Sequence, residues 1–199
     1  MSHDFLVKEL DIKFDMQEDL DYLHTVETKY AHLRWDASKE NLKQAKEADE
    51  QEEISGVYGW GVQSNLPDLN QPCPPYHVHK GGSDEYRDTD LVFGFIEKIK
   101  DIFPRARQIS IASHPQGTKI RRHNDSDTYY KIHLPLTSND KSWFIFDDKT
   151  FVLEPGKFYL INTDKHHSTY NEGESIRTHL FFKIPVEDVD AVKEISVKL

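Results

Sequence analysis

The sequence predicts a mainly β protein with N-terminal helices and a jelly-roll type barrel in its second half. Three observations carry this. From residue 108 onward short apolar runs alternate with turn signals, giving six to eight strands at the spacing of a sandwich or barrel rather than a βαβ fold. Helical periodicity is confined to residues before Pro104. No clean linker separates the halves, so residues 1–199 read as one domain, with a mixed α/β part over 1–107 and a β core over 108–185.

Along the chain, residues 10–15 alternate Leu10, Ile12 and Phe14 with Asp11, Lys13 and Asp15, the period of a half-buried strand. Residues 16–30 place Leu20, Leu23, Val26 and Tyr30 at helical spacing. The segment 39–53 is charged nearly all round, with Leu42, Ala45 and Ala48 as a thin stripe, and reads as a solvated helix or a mobile lid. GVYGWGV at 56–62 is a short strand opened by glycines, and residues 64–87, with Pro67, Pro72, Pro74 and Pro75, form a long irregular loop. Residues 88–103 make the clearest helix: Asp88 and Asp90 at its start, Leu91, Phe95, Ile99 and Ile102 on one face, Pro104 as the stop. Strands follow at 109–112, 130–136, 142–146, 158–161 and 178–184, with turns at PQG, SND, DDK, EPG and NEG between and beside them.

Composition narrows the function. With 37% hydrophobic and 12% aromatic residues the 199-residue chain is too apolar for disorder, while 30% charge and a mean hydropathy of -0.72 give it a wet surface. A net charge of -10 repels phosphate backbones, and the densest basic patch is only KIRR at 119–122, so no nucleic-acid partner is expected. The single Cys73, in a proline-rich loop, excludes an intrachain disulfide and a Cys-rich zinc module and reads as a bystander. The N-terminus lacks the pattern of a signal peptide, and no apolar run approaches a membrane span, which points to a cytoplasmic protein without a membrane partner. Oligomeric state is not legible.

The chemistry gathers in the β half. In HND at 123–125, residues two apart on a strand share a face, so His123 and Asp125 can converge on one ion; alone, the motif is more simply a solvent-exposed turn. His166 and His167 follow some forty residues on, and adjacent residues point to opposite faces, so one of them joins the pair. Two histidines and one carboxylate suit a non-haem Fe(II) oxygenase, but zinc with a water uses a similar set. Alternation puts Arg177, His179 and Phe181 on one face of a strand and Thr178, Leu180, Phe182 and Ile184 on the other, leaving Arg177 where it can clamp a carboxylate. The same arithmetic puts Tyr130, Ile132, Leu134 and Leu136 in a core, and Tyr129, Lys131 and His133 opposite. Trp60, Gln63 and the 65–87 loop are expected to roof the cavity; His77 and His79 within that loop are read as solvent-facing rather than metal-binding.

GTKIRRHND at 117–125, KIHLPL at 131–136, HSTYN at 167–171 and RTHL at 177–180 together resemble the aspartyl/asparaginyl β-hydroxylase family over roughly 108–185. The resemblance implies a double-stranded β-helix, cupin-like core and an Fe(II)- and 2-oxoglutarate-dependent dioxygenase. Such an enzyme hydroxylates a C–H bond of an amino acid, a peptide Asp or Asn side chain or another small substrate, consuming dioxygen and releasing succinate and CO2. By matching motifs, His123, Asp125 and His167 are the metal-holding, catalytic residues, His166 faces out, Arg177 takes the distal carboxylate of 2-oxoglutarate and His133 lines the cosubstrate. Lys131 stands where the family often has an arginine that contacts 2-oxoglutarate; lysine keeps the charge and loses the fork. Asp125 occupies a position that animal members fill with glycine, as in members resembling free-proline hydroxylases. The family name labels the fold and not the substrate, although the compact chain and Asp125 favour a free amino acid. The alternative is a non-catalytic cupin-like module that binds metal and carboxylate; a zinc hydrolase would leave Arg177 without a purpose and lacks an identifiable general base.

Overall fold

The computed structural model describes residues 4–13, 16–37, 56–73, 85–125 and 128–198. Its strands are β1 (Val7–Glu9), β2 (Asp11–Lys13), β3 (Trp35–Asp36), β4 (Tyr58–Gly61), β5 (Gln63–Ser64), β6 (Arg87–Asp88), β7 (Arg107–His114), β8 (Lys119–His123), β9 (Tyr129–Thr137), β10 (Ser142–Phe146), β11 (Lys149–Phe151), β12 (Tyr159–Ile161), β13 (His167–Asn171), β14 (Arg177–Pro185) and β15 (Ser196–Lys198). Three helices accompany them: α1 (Met16–Lys29), α2 (Phe95–Ile102) and α3 (Val189–Lys193).

The nine-residue strands β9 and β14 are both built on strict alternation, and they pair along their length. They form the middle of a seven-stranded sheet in the order β1-β12-β9-β14-β7-β4-β3. A four-stranded sheet, β11-β10-β13-β8, supplies the second layer. Every pairing in the two sheets is antiparallel, and together they make the mainly β, cupin-like jelly roll that the turn spacing predicted. Strands from the N-terminal half, β1, β3 and β4, are integral to the large sheet.

Alternation divides the large sheet into two chemistries. Ile132, Leu134, Leu180 and Phe182 are fully buried on one face and pack with Tyr22, Leu23 and Val26 of α1 and with Phe95, Ile96 and Ile99 of α2. Each such side chain contributes about 1.5–3 kcal/mol by leaving water. The opposite face, carrying His133, Arg177 and His179, looks toward the smaller sheet. A second apolar cluster, Phe144, Phe146, Leu153, Tyr159 and Ile161, closes one end of the space between the layers. The close approach of β4 to β7 needs a glycine: a Cβ on Gly59 would lie 1.9 Å from the Ile111 carbonyl oxygen. The DDK turn is a two-residue hairpin loop between Phe146 and Lys149, with Asp147 in the left-handed region at φ 43°.

Two expectations change, and a third is described only in part. The helix read over 88–103 begins only at Phe95. Asp88 is drawn into β6 by pairing with Gln63, and Gly94 at φ 59° breaks helical continuity before Phe95. The strand read over 10–15 is described only through Lys13, where Leu10 and Ile12 are buried and Asp11 and Lys13 exposed. Trp60 does not roof a cavity. It is 2% exposed in the helix-side core and donates its indole N–H to the Tyr30 carbonyl at 3.1 Å, while Gln63 bonds to Asp88 and to the Ile109 amide. The charged segment 39–53 and His77 and His79 lie outside the described residues.

Candidate functional site

A cavity of about 450 Å³ lies between the two sheets, with walls from β7, β9 and β14 on one side and β8, β10 and β13 on the other. Its residues come from the polar faces that alternation sets against the cores.

His123 ends β8 and His167 opens β13, and the two are cross-strand partners with ring centroids 4.5 Å apart. Asp125 follows β8 directly, held by its backbone N–H to the Thr163 carbonyl at 2.9 Å. One carboxylate oxygen lies 3.8 Å from His123 Nε2 and the other 3.8 Å from His167 Nε2, and ligand atoms of all three residues fall within 4.8 Å of one another. Each imidazole is oriented by its other nitrogen. Nδ1 of His123 meets the Arg121 carbonyl at 2.8 Å and Nδ1 of His167 meets the Lys165 carbonyl at 2.9 Å, so both donate there, and in the neutral rings Nε2 is the free ligand atom toward Asp125. Burial, then the neighbouring His123, push the His167 pKa down to about 4, which keeps that ring neutral and able to ligate. Burial works to raise the Asp125 pKa, but the Lys131 ammonium, 2.8 Å from Oδ2, together with the two histidines holds it well below the usual carboxylate range. His166 is exposed and points away.

Arg177 opens β14 and is 4% exposed. No carboxylate among the described residues pairs with it. Its partner is His179: Nε donates to His179 Nε2 at 3.1 Å, and Nη2 lies 3.1 Å from Nδ1 of the same ring. A neutral His179 ring accepts from only one of these two donors, and its Nδ1 also lies 3.3 Å from His133 Nδ1. His133 Nε2 is buried with no hydrogen-bond partner. Burial and the Arg177 charge keep His179 and His114 neutral; for His133, burial acts first, then Lys131 and Arg177. Burial alone draws Arg177 down to about 9. The hydroxyl of Thr169 and Nδ1 of His114 are likewise buried without partners on this cavity wall. A buried guanidinium with no carboxylate partner among the described residues, beside unsatisfied polar atoms, has the chemistry to pair with a carboxylate.

The structure thus brings every site residue read from sequence onto one cavity: His123, Asp125, His133, Lys131, His167 and Arg177. Sequence reasoning missed several others. Lys183 continues the alternation of Arg177, His179 and Phe181 by one more step, so its signal was present. Gln108 sits at φ 55° in a β-bulge beside Lys183, and Trp35 and His114 also line the cavity, none of which local pattern reveals, whereas Tyr86 comes from the 65–87 loop expected to roof it. Asn171 of the HSTYN motif is structural: its amide reaches the carbonyls of His114 and Ser175 and its oxygen accepts from Gly173 N–H, tying β13 to β7 and to the following turn.

Among solved structures the chain is similar to a 2OG-Fe(II) oxygenase family oxidoreductase from Burkholderia pseudomallei, at 12% identity and a TM-score of 0.47, over 88% of this chain and 94% of that one. It is also similar to a viral collagen prolyl hydroxylase from Paramecium bursaria Chlorella virus-1, at 10% identity and TM-score 0.35, over 46% and 66% of the two chains. A cupin 2 conserved barrel domain protein from Salinispora arenicola matches at 13% identity and TM-score 0.33, over 42% and 67%. These likenesses are too distant to transfer a function. No curated protein matches the chain. The aspartyl/asparaginyl beta-hydroxylase family profile matches residues 84–185, just over half of the 199 residues, and extends the resemblance upstream of residue 108 to include Tyr86 and α2. That match, spanning the strands that carry His123, Asp125, His167 and Arg177, makes this chain a member of the aspartyl/asparaginyl β-hydroxylase family.

Proposed function

We propose that the protein is an Fe(II)- and 2-oxoglutarate-dependent dioxygenase that hydroxylates a C–H bond of a small substrate, and that residues 1–199 act as one unit. One observation carries this reading most: three converging ligand atoms share a cavity with a buried, carboxylate-free arginine. His123 Nε2, Asp125 and His167 Nε2 would hold the metal, a set of donors that suits Fe(II). Arg177 would receive the distal carboxylate of 2-oxoglutarate, with the unpartnered Nε2 of His133 and the Thr169 hydroxyl as further polar atoms of the same cavity. When both are bound, iron and 2-oxoglutarate supply the oxidising power, dioxygen being consumed as 2-oxoglutarate leaves as succinate and CO2 and a substrate C–H becomes C–OH.

The chain's own residues position, neutralise and shield. The Arg121 and Lys165 carbonyls fix the two ligand tautomers. Lys131 keeps Asp125 ionised and oriented, so its ammonium tunes the ligand while Arg177 holds the cosubstrate's far end. The aromatic rings of Phe144 and Phe181 wall the cavity and exclude water from its interior.

The test is anaerobic titration of the Fe(II)-loaded protein with 2-oxoglutarate, watching for the visible metal-to-ligand charge-transfer band. The expected result is a band in the wild type that is absent from Arg177→Ala at matched concentrations. Iron binding without a band would instead favour the non-catalytic metal- and carboxylate-binding module.

A further inference from the structure

Arg177 occupies only one end of the cavity wall. Six residues later on the same strand, at roughly 3.3 Å per residue and so about 20 Å away, Lys183 lines the same cavity. Its position is unusual in charge. Lys183 pairs directly across β14–β9 with Lys131 and across β14–β7 with Arg107, so three cationic residues lie side by side on three adjacent strands. Like charges directly opposite one another destabilise a sheet, and such a row persists where something compensates it. Lys131 has Asp125 at 2.8 Å, and the Arg107 guanidinium sits over the Tyr129 ring at 3.9 Å. Lys183 has no carboxylate at ion-pair distance among the described residues. Burial first, then Lys131 and Arg107, lower its pKa to about 8, against a partial opposing pull from Asp125.

The backbone beside it is also shaped for the cavity. The register of β7 against β14 slips between Phe181 and Lys183, and the bulge puts Gln108 at φ 55°, a conformation that costs a non-glycine residue energy. That strain delivers the Gln108 side chain to the cavity wall next to Lys183. Bulges that re-aim a side chain in this way cluster at functional sites.

We infer that Lys183, flanked by Lys131 and with Gln108 beside it, is the receptor for an anionic group on the hydroxylated substrate, which is therefore a small free acid rather than a neutral molecule or an internal peptide segment. The inference rests on the oxygenase reading for one point, that Arg177 is taken by 2-oxoglutarate and Asp125 by the metal. Lys183 is then a cavity-wall cation that, among the described residues, has no carboxylate partner to hold it, six residues along β14 from Arg177. A carboxylate and a phosphate present the same chemistry to it, and the two are separable by experiment.

Two measurements on the Mn(II)-loaded protein test this without turnover. Calorimetry with 2-oxoglutarate compares wild type, Arg177→Met and Lys183→Met. Lys183→Met is expected to bind within about twofold of wild type, while Arg177→Met weakens by about tenfold or more. Equal losses in both would make Lys183 a cosubstrate residue and overturn the inference, whereas wild-type protein that binds no 2-oxoglutarate would overturn the oxygenase reading instead. Thermal stabilisation in the presence of 2-oxoglutarate then screens free L-amino acids, the same amino acids as C-terminal amides, and phosphorylated small molecules. At least one acid is expected to stabilise the wild type, with affinity about tenfold weaker in Lys183→Met and largely kept in Lys183→Arg, and with no matching effect from its amide. If the phosphorylated compounds alone stabilise, the anion is a phosphate. Amides as effective as acids, affinity unchanged in Lys183→Met, or no stabilising anion at all would each overturn the inference.

Discussion

The two faces of β9 and β14 are made by alternate residues of the same strands, yet they obey opposite rules. On the helix side Leu134, Ile132, Leu180 and Phe182 are fully buried and wholly apolar. On the cavity side Arg177, His179 and His133 are almost as buried, at 3–7% exposure, and polar, with a cation that has no carboxylate partner among the described residues and an imidazole nitrogen, His133 Nε2, that has none either. The first face gains stability from burial; the second gives some up. A polar face that tightly packed surroundings leave unsatisfied marks where a ligand completes the structure.

That contrast fails first if changes on the cavity face unfold the protein. Asp125→Ala and His123→Ala are expected to abolish 2-oxoglutarate-dependent succinate release while the protein still folds, with little change in denaturant midpoint for His123→Ala and a larger loss for Asp125→Ala, which strips Lys131 of its carboxylate. Retained turnover in both variants would remove them from the metal site. Leu180→Ala, one residue from His179 on the other face, should do the reverse. It creates a cavity in the helix-side core and costs about 2–5 kcal/mol, read from chemical denaturation, while any remaining folded protein keeps its affinity for 2-oxoglutarate.

Arg177→Met joins the two regimes. Methionine matches the buried volume without the charge, so 2-oxoglutarate affinity should fall by about tenfold to a hundredfold. The ligand-free protein should nevertheless be at least as stable as wild type, because a desolvated guanidinium no longer has to be kept without a counter-ion. A clear loss of stability in calorimetry would show that Arg177 is a structural residue, and the contrast between faces would lose its sharpest member.

The period-2 alternation made both faces of β9 and β14 legible before any coordinates, since it depends only on strand geometry. Alternation joined His123 to Asp125 and to one of His166 and His167, the family resemblance chose His167, and the pairing of β13 with β8 brings the three together. What escaped was non-local. The helix read from Asp88 failed because Asp88 pairs with Gln63, twenty-five residues earlier in the chain, and because Gly94 adopts a left-handed φ that no periodicity announces. Trp60 looked like a cavity roof because aromatic residues near loops often are, but the pairing of β4 with β7 turns its ring into the helix-side core. The basic row of Arg107, Lys183 and Lys131 depends on the register of three strands and a bulge, which a single sequence does not encode in any local window.

That row offers the finest test of the comparison, because it gives a cost with a pH signature. Lys183 faces Lys131 and Arg107 from the strands on either side, with Asp125 the carboxylate acting on it. Its folded pKa of about 8 lies below the ordinary lysine value of 10.5, so between those limits the unfolded chain holds more of this proton than the folded one. Stability therefore rises with pH through that window as far as Lys183 is concerned, and the charged form is a burden below it. Lys183→Met removes the burden. The variant should be more stable than wild type near neutral pH, by about 1–2 kcal/mol after allowance for partial exposure, and the difference should shrink as pH climbs from about 8 toward 10.5. Denaturation of both proteins across that range, without ligands, measures it. A difference that stays flat with pH would mean that Lys183 already has a compensating anion, and that this end of the cavity resembles the satisfied face of the sheet more than the face around Arg177.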